Sequence, residues 1–168
     1  MGEKNLKKAI FLDRDGVINK DHGYVYKVEE FEFVDGIFEF LKEAQNRGYL
    51  LIVVTNQSGI GRGYYTLKDF EKLTEYMIQK MQENGIKISK EQIFFCPHAP
   101  EEKCKCRKPE PKMIFDAKEK FDIDLKNSCL IGDKISDIEA GIRAGVGKNI
   151  LIAKNSKISM EALDGLQK

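Results

Sequence analysis

Short, continuous apolar runs recur along this chain, separated by stretches with helical spacing. Ala9-Ile10-Phe11-Leu12 is apolar without a break, as expected of a strand buried on both faces. Ile37, Phe40, Leu41 and Ala44 then recur on one helix face, and Gly48 acts as a stop. Leu50 to Val54 is a second such strand. Phe70, Leu73, Met77 and Met81 mark a helix that Thr66 opens and that closes near Gly85. Ile93-Phe94-Phe95 is a third strand, followed by a helix from Met113 to Phe121 begun by Pro111. Cys129-Leu130-Ile131, Ile135 to Ala144 and Asn149 to Ile152 read as strand, helix and strand, and a last helix is expected beyond Lys154. This alternation predicts an α/β fold: a doubly wound three-layer sandwich around a mainly parallel sheet. At 168 residues the chain suits a single domain, 1–168, with a sizeable core.

Two stretches break the pattern. Arg14 to Val34 contains Tyr24-Val25-Tyr26 and Phe31-Glu32-Phe33-Val34, enough for a small hairpin. Cys96 to Pro111 is an irregular loop crowded with Cys, Pro, Lys and Glu, and loops this long in compact domains are usually functional. Both insertions are small, so a minimal cap and an open site are expected. With Lys+Arg at 28 and Asp+Glu at 27, the net charge of +1 argues against an electrostatically driven nucleic-acid binder. The start of the chain lacks a signal-peptide stretch, and the longest apolar run, Tyr49 to Val54, is far short of the roughly 20 residues of a membrane helix. A cytoplasmic monomer with no membrane or nucleic-acid partner is the expectation.

Asp13 and Asp15 follow the first strand at once, in Phe-Leu-Asp-Arg-Asp-Gly-Val-Ile. Chemistry in a doubly wound sheet sits beyond the carboxyl ends of the strands, and residues two apart on extended chain face the same side. Two close carboxylates repel unless a cation stands between them, which points to Mg²⁺. Taken alone, the pair reads equally as a turn cap and a solvated acid. The other strand ends add weight. Thr55-Asn56-Gln57-Ser58-Gly59 follows the second strand with hydroxyl and amide groups suited to phosphate oxygens. Gly132-Asp133-Lys134 follows the fourth, with Asp137 one helical turn on, and the loop after the third supplies Arg107 and Lys108. Acids for a metal and cations for an anion thus meet at one sheet edge.

That loop also holds three of the four Cys and one of the two His. Cys96, His98, Cys104 and Cys106 form a set of soft donors suited to tetrahedral Zn²⁺. Four protein ligands leave no open position, so such a zinc is structural, bracing the loop from 96 to 106 just ahead of Arg107 and Lys108. The alternative is a group of unrelated thiols. Disulfides are rare in a reducing compartment, which favours the metal. Cys129 lies inside a strand and reads as a small buried hydrophobe.

In this arrangement the chain resembles the haloacid dehalogenase (HAD) superfamily of phosphohydrolases. Asp13-x-Asp15, Thr55, Lys108 and Gly132-Asp133 with Asp137 stand in the order of that superfamily's four motifs, over roughly residues 8 to 152. Acids at both positions of the first motif look like its phosphatase branch. The resemblance implies Asp13 as nucleophile and Asp15 as general acid and base. It implies Mg²⁺ held by Asp13, Asp133 and the backbone carbonyl of Asp15, and Thr55 and Lys108 on the phosphoryl oxygens. Asp137 would support the site rather than bind metal, and Lys134 would be a substrate contact or a partner for the acids. Cys-x-His…Cys-x-Cys-Arg-Lys-Pro is similar to one subgroup, which includes D-glycero-D-manno-heptose 1,7-bisphosphate phosphatases of bacterial surface-sugar synthesis (lipopolysaccharide core or nucleotide-activated heptose) and histidinol-phosphate phosphatases. Asp21-His-Gly-Tyr-Val-Tyr and Thr55-Asn-Gln-Ser-Gly-Ile-Gly-Arg-Gly-Tyr-Tyr65 resemble the heptose enzymes. By that resemblance Asp21, His22, Gly23 and Tyr24 line a small phosphorylated sugar, Asn56, Gln57 and Ser58 sit beside it, and Arg107 helps recognise it. Arg62 reads either as a clamp for a second phosphate or as a solvated loop residue. The short interval between His98 and Cys104 resembles instead the histidinol-phosphate enzymes. The expected reaction is removal of the C7 phosphate of heptose 1,7-bisphosphate through an aspartyl-phosphate. The alternatives are histidinol-phosphate hydrolysis and, against the near-neutral charge, a nucleic-acid 3′-phosphatase.

Overall fold

A computed structural model describes residues 5–159 and 161. Strands β1 (Ala9–Leu12), β2 (Leu50–Asn56), β3 (Ile93–Cys96), β4 (Cys129–Gly132) and β5 (Lys148–Leu151) form one sheet in the order β3-β2-β1-β4-β5. Every neighbouring pair is parallel, with Phe11 opposite both Ile52 and Leu130. Helices α1 (Ile37–Asn46), α2 (Ser58–Gly61), α3 (Leu67–Glu83), α4 (Lys112–Phe121) and α5 (Ile135–Ala144) connect them.

Alternation along the strands divides the core into two layers. Ile10 and Leu12 pack with Phe40, Leu41, Leu73 and Met77 of α1 and α3. Ala9 and Phe11 pack with Met113, Ile114, Ala117 and Ala140 of α4 and α5. Both faces of the sheet are covered, which is why the strands read as unbroken apolar runs. Thr66 Oγ1 accepts the Asp69 N–H at 3.1 Å while the Asp69 carboxylate accepts the Thr66 N–H at 2.9 Å, closing both orphan donors at the start of α3. The chain leaves β1 toward β2 on one side and returns to β4 on the other, so a crevice opens at the carboxyl ends of these strands.

The element boundaries differ from expectation in a few places. β2 runs on to Asn56 because Thr55 and Asn56 pair with Phe95 and Cys96, so both belong to the strand. β5 begins at Lys148 and ends at Leu151, and the short α2 has no apolar period to announce it. Arg14 to Val34 does not form a hairpin. It is joined by one antiparallel bridge, Asn19 to Phe33, with Lys20 N–H on Glu32 O (2.7 Å) and Val34 N–H on Ile18 O (2.8 Å). Val17, Ile18, Val25, Phe31 and Val34 all turn into the core, so burial rather than a strand ladder holds this segment. Of the last helix expected beyond Lys154, 155–159 are not helical, residue 161 is, and residues 160 and 162–168 lie outside the described ones. No described helix is long and apolar enough to cross a membrane.

Candidate active site

Asp13 continues β1 past its last residue, its N–H bonded to Ile131 O of β4 at 3.2 Å. Its carboxylate is almost wholly buried, 5% exposed, and Lys108 Nζ approaches Oδ1 to 3.1 Å. The same ammonium lies 2.5 Å from Asp137 Oδ1 and donates to Val54 O at 2.9 Å. Lys108 is as buried as Asp13, at 4%. Burial pushes Asp13 up, to about 7, because it outweighs the attraction of Lys108, and Asp137 and Asp15 add to the rise. Burial opposes the charge on Lys108, yet Asp13 and Asp137 outweigh it and hold its pKa above the ordinary lysine value. Asp137 Oδ2 accepts the N–H groups of Asp133 (3.2 Å) and Lys134 (3.1 Å), tying the start of α5 to the site.

Asp13, Asp133 and Asp137 each offer an oxygen within 4.8 Å of the others. Asp133 Oδ1 is buried with no hydrogen-bond partner. An orphaned carboxylate oxygen facing a second acid fits a hard divalent cation, whereas Asp137 is already committed to Lys108 and two N–H groups. Gly16, at φ +94°, has the Asp133 carboxylate where a Cβ would stand, so only glycine lets the two meet.

Asp15 is held by a different set of partners. Its Oδ1 accepts from Arg14 Nε (3.1 Å), Arg14 Nη2 (2.8 Å) and Asn19 Nδ2 (3.0 Å), and its Oδ2 from Gln57 Nε2 (3.0 Å). Arg14, 1% exposed, also donates to Val25 O. Asp15 lines a cleft of about 310 Å³ with Asp21, Gly23, Tyr24, Asn56, Gln57, Ser58, Tyr65, Arg107, Lys134 and Ser136. Nearly all the expected substrate residues thus meet in one place. His22 is exposed and off the cleft lining, and Arg62 pairs with Glu101 at 3.6 Å. Gln57 is 2% exposed, with its amide engaged by protein groups. Thr55 is fully buried, and Asn56 fixes the loop by exchanging hydrogen bonds with the backbone of Lys108.

Tyr65 and Ser136 in the cleft, and Arg14 and Asn19 behind it, were not singled out in the sequence. Tyr65 stands at the end of the Thr55 stretch, but nothing local assigns it a partner. Asn155 had no signal at all. Its side chain accepts the Asp21 N–H (2.7 Å) and donates to Asp21 O (3.2 Å) across 134 positions, holding the cleft wall from the far end of the chain.

At the Cys loop, Cys96 Sγ, His98 Nδ1, Cys104 Sγ and Cys106 Sγ all lie within 4.8 Å of one another. His98 Nδ1 is 3.5 Å from Cys96 and 3.3 Å from Cys106, and Cys104 is 3.3 Å from Cys96 and 3.7 Å from Cys106. Here the structure departs from the expectation of free thiolates, since Cys96 and Cys106 are joined as a disulfide. A bridge and a shared metal are alternative ways to join sulfurs that the loop brings to one point. Cys129 is buried in β4, as expected, and burial pushes its thiol up to about 12. A larger groove of about 920 Å³ lies at the amino-terminal ends of β1, β2 and β3, but no acid, thiol or imidazole lines it.

Comparison with known proteins agrees with this geometry. A HAD-hydrolase-like family model matches residues 105–161. The D-glycero-beta-D-manno-heptose-1,7-bisphosphate 7-phosphatase of Helicobacter pylori is 54% identical over 152 residues, 90% of this chain and 87% of that one. The D-glycero-alpha-D-manno-heptose-1,7-bisphosphate 7-phosphatase of Campylobacter jejuni is 53% identical over 150 residues, 89% and 85%. The crystal structure of D,D-heptose 1,7-bisphosphate phosphatase from B. bronchiseptica, complexed with magnesium and phosphate, superposes with a TM-score of 0.82 at 26% identity, covering 94% of this chain and 99% of that one. With its buried acids, lysine and hydroxyl at the strand ends, the chain belongs to the family of HAD-like phosphatases that contains the heptose-1,7-bisphosphate 7-phosphatases.

Proposed function

We propose that this phosphatase removes the C7 phosphate of D-glycero-D-manno-heptose 1,7-bisphosphate, leaving heptose 1-phosphate. The observation that carries the chemistry is a buried Asp13 carboxylate 3.1 Å from a buried Lys108, beside the orphaned oxygen of Asp133. The sugar specificity is supported by relatives above 50% identity that carry that activity in their names.

Asp13 attacks phosphorus as the bond to the sugar oxygen breaks, giving an aspartyl-phosphate and an alkoxide. Asp15 protonates that alkoxide, then takes a proton from the water that attacks the aspartyl-phosphate, which releases phosphate and restores Asp13. Lys108 and Thr55 neutralise and hydrogen-bond the transferring oxygens, with no reorganisation because both are buried and fixed. Asp13 and Asp133, with the carbonyl of Asp15, would hold Mg²⁺, whose charge offsets repulsion between nucleophile and phosphate. Arg107, Lys134 and Ser136 give the cleft polar groups for the sugar and its remaining phosphate.

Cys96, His98, Cys104 and Cys106 would hold a structural Zn²⁺. Four of their separations, 3.3–3.7 Å, are near the edges of a tetrahedron with bonds of about 2.0–2.3 Å, while the bonded Cys96–Cys106 pair would have to part to complete it. Zinc loading needs Cys96 and Cys106 as thiolates, hence a reducing compartment such as the cytoplasm. The site would brace the backbone from which Arg107 and Lys108 project.

Phosphate release from both anomers of heptose 1,7-bisphosphate, beside histidinol phosphate, tests the reading. Hydrolysis of a heptose anomer only is expected. Turnover of histidinol phosphate alone would replace the sugar by the amino alcohol. Both anomers are needed because relatives named for opposite anomers are almost equally similar.

A further inference from the structure

The two oxygens of Asp15 have different surroundings. Oδ1 is anchored by Arg14 and Asn19, whereas Oδ2 accepts from Gln57 Nε2 at 3.0 Å. Gln57 Nε2 also donates to Thr55 Oγ1 at 2.9 Å, so both amide protons are used. The other end of the amide, Oε1, accepts from the Tyr65 hydroxyl at 2.5 Å. That bond decides which way the amide points. Turned over, the amide would lose its N–H bonds to both Asp15 Oδ2 and Thr55 Oγ1, because its two protons would point at the Tyr65 hydroxyl instead.

Tyr65 is itself held firmly. It is 6% exposed, and its ring stacks on Tyr26 with centroids 5.1 Å apart and planes 6° from parallel. Its ring lies against the backbone of Gly59, where any Cβ would collide with it. Burial also keeps its proton on well above neutral pH, so it remains a donor.

We propose that Tyr65 is a positioning residue for the phosphatase reaction: by donating to Gln57 Oε1 it fixes the amide that aims Asp15 Oδ2 at the leaving oxygen. The inference rests on Asp15 being the acid and base described above. Thr55 is the second anchor of the same amide, which keeps Gln57 level between the acid and the phosphate-binding hydroxyl.

The test is steady-state kinetics at saturating Mg²⁺ with heptose 1,7-bisphosphate and with p-nitrophenyl phosphate, whose leaving group needs little protonation. Tyr65→Phe keeps the ring and its stacking. It is expected to lower kcat on the sugar phosphate by about 10-fold, with KM within about twofold, as loss of one orienting hydrogen bond implies. On the aryl phosphate the loss should be under about threefold. In a Gln57→Leu background the same change should cost less than about twofold, because the group through which it acts is gone. Unchanged kcat, equal losses on the two substrates, or equal costs in both backgrounds would each overturn the proposal. The substrate comparison needs only Tyr65→Phe, so it stands even where Gln57→Leu fails to fold. Wild-type protein that releases no phosphate, or Asp15→Asn protein with full activity, would sink the acid–base reading itself, a separate outcome.

Discussion

The carboxylate–lysine crevice and the cysteine loop sit side by side, yet they are built by opposite means. Asp13, Lys108, Thr55 and Asp137 are buried, and strand ends or helix starts hold most of them. Each is tied to other protein groups by ion pairs or hydrogen bonds. His98, Cys104 and Cys106 are only half-buried, on a loop with one short 3₁₀ turn, and the recorded polar partners of these donor atoms are one another and Cys96. The first region is wired by the fold. The second is held together by cross-links among its own donors. A metal should therefore act on chemistry in one and on local structure in the other.

The sharpest way to break this contrast is Asp13→Asn. It keeps the shape and the acceptor for the Arg14 N–H but removes the nucleophile. Loss of kcat on the order of 10⁴-fold or more is expected, with an unchanged circular dichroism spectrum. Retained phosphatase activity would overturn the mechanism. Lys108→Met should come next, because it strands Asp13 and Asp137 without their countercharge. About 3–5 kcal/mol of stability should be lost in urea unfolding, together with activity. A loss below about 1 kcal/mol would mean that the crevice is less tightly wired than its distances indicate.

The loop should respond differently. Cys104→Ala is expected to abolish stoichiometric zinc by elemental analysis and to lower kcat/KM by roughly 10–100-fold, through the placement of Arg107 and Lys108. Asp133→Asn should instead abolish the activity that Mg²⁺ supports and leave the zinc content intact. If either variant lost both metals, the two regions would be one cooperative unit. The smallest effect belongs to Cys129, 2% exposed and pushed up to about 12. In reduced, zinc-free protein it should resist alkylation at pH 8 while Cys104 reacts, as mass spectrometry would show, and Cys129→Ala should leave the zinc content of the loaded protein unchanged.

Asp13, Thr55, Lys108 and Asp133 were legible because each follows an apolar run, and the carboxyl end of a parallel strand is where such a sheet places its chemistry. The clustering of Cys96, His98, Cys104 and Cys106 was legible because their close spacing is a local property. Arg14 shows where that legibility stops. It stands between Asp13 and Asp15 with no local signal of burial, yet it is 1% exposed and holds Asp15. Burial of a charge depends on Val25 and on the aromatic rings of Phe31 and Phe70 arriving from other segments. Tyr65 and Asn155 are of the same kind, since their work lies in contacts 8 and 134 positions away.

By itself, then, the sequence determined the layers, the parallel sheet and which polar residues stand at the strand ends, because periodicity and motif spacing are written along the chain. The tertiary structure alone decided how those groups are joined. It paired Lys108 with two acids rather than one, committed the Gln57 amide to protein, and left Arg62 on Glu101 rather than in the cleft. The physical reason is that the strength and direction of a hydrogen bond or ion pair depend on burial and angle, which exist only once distant segments have packed.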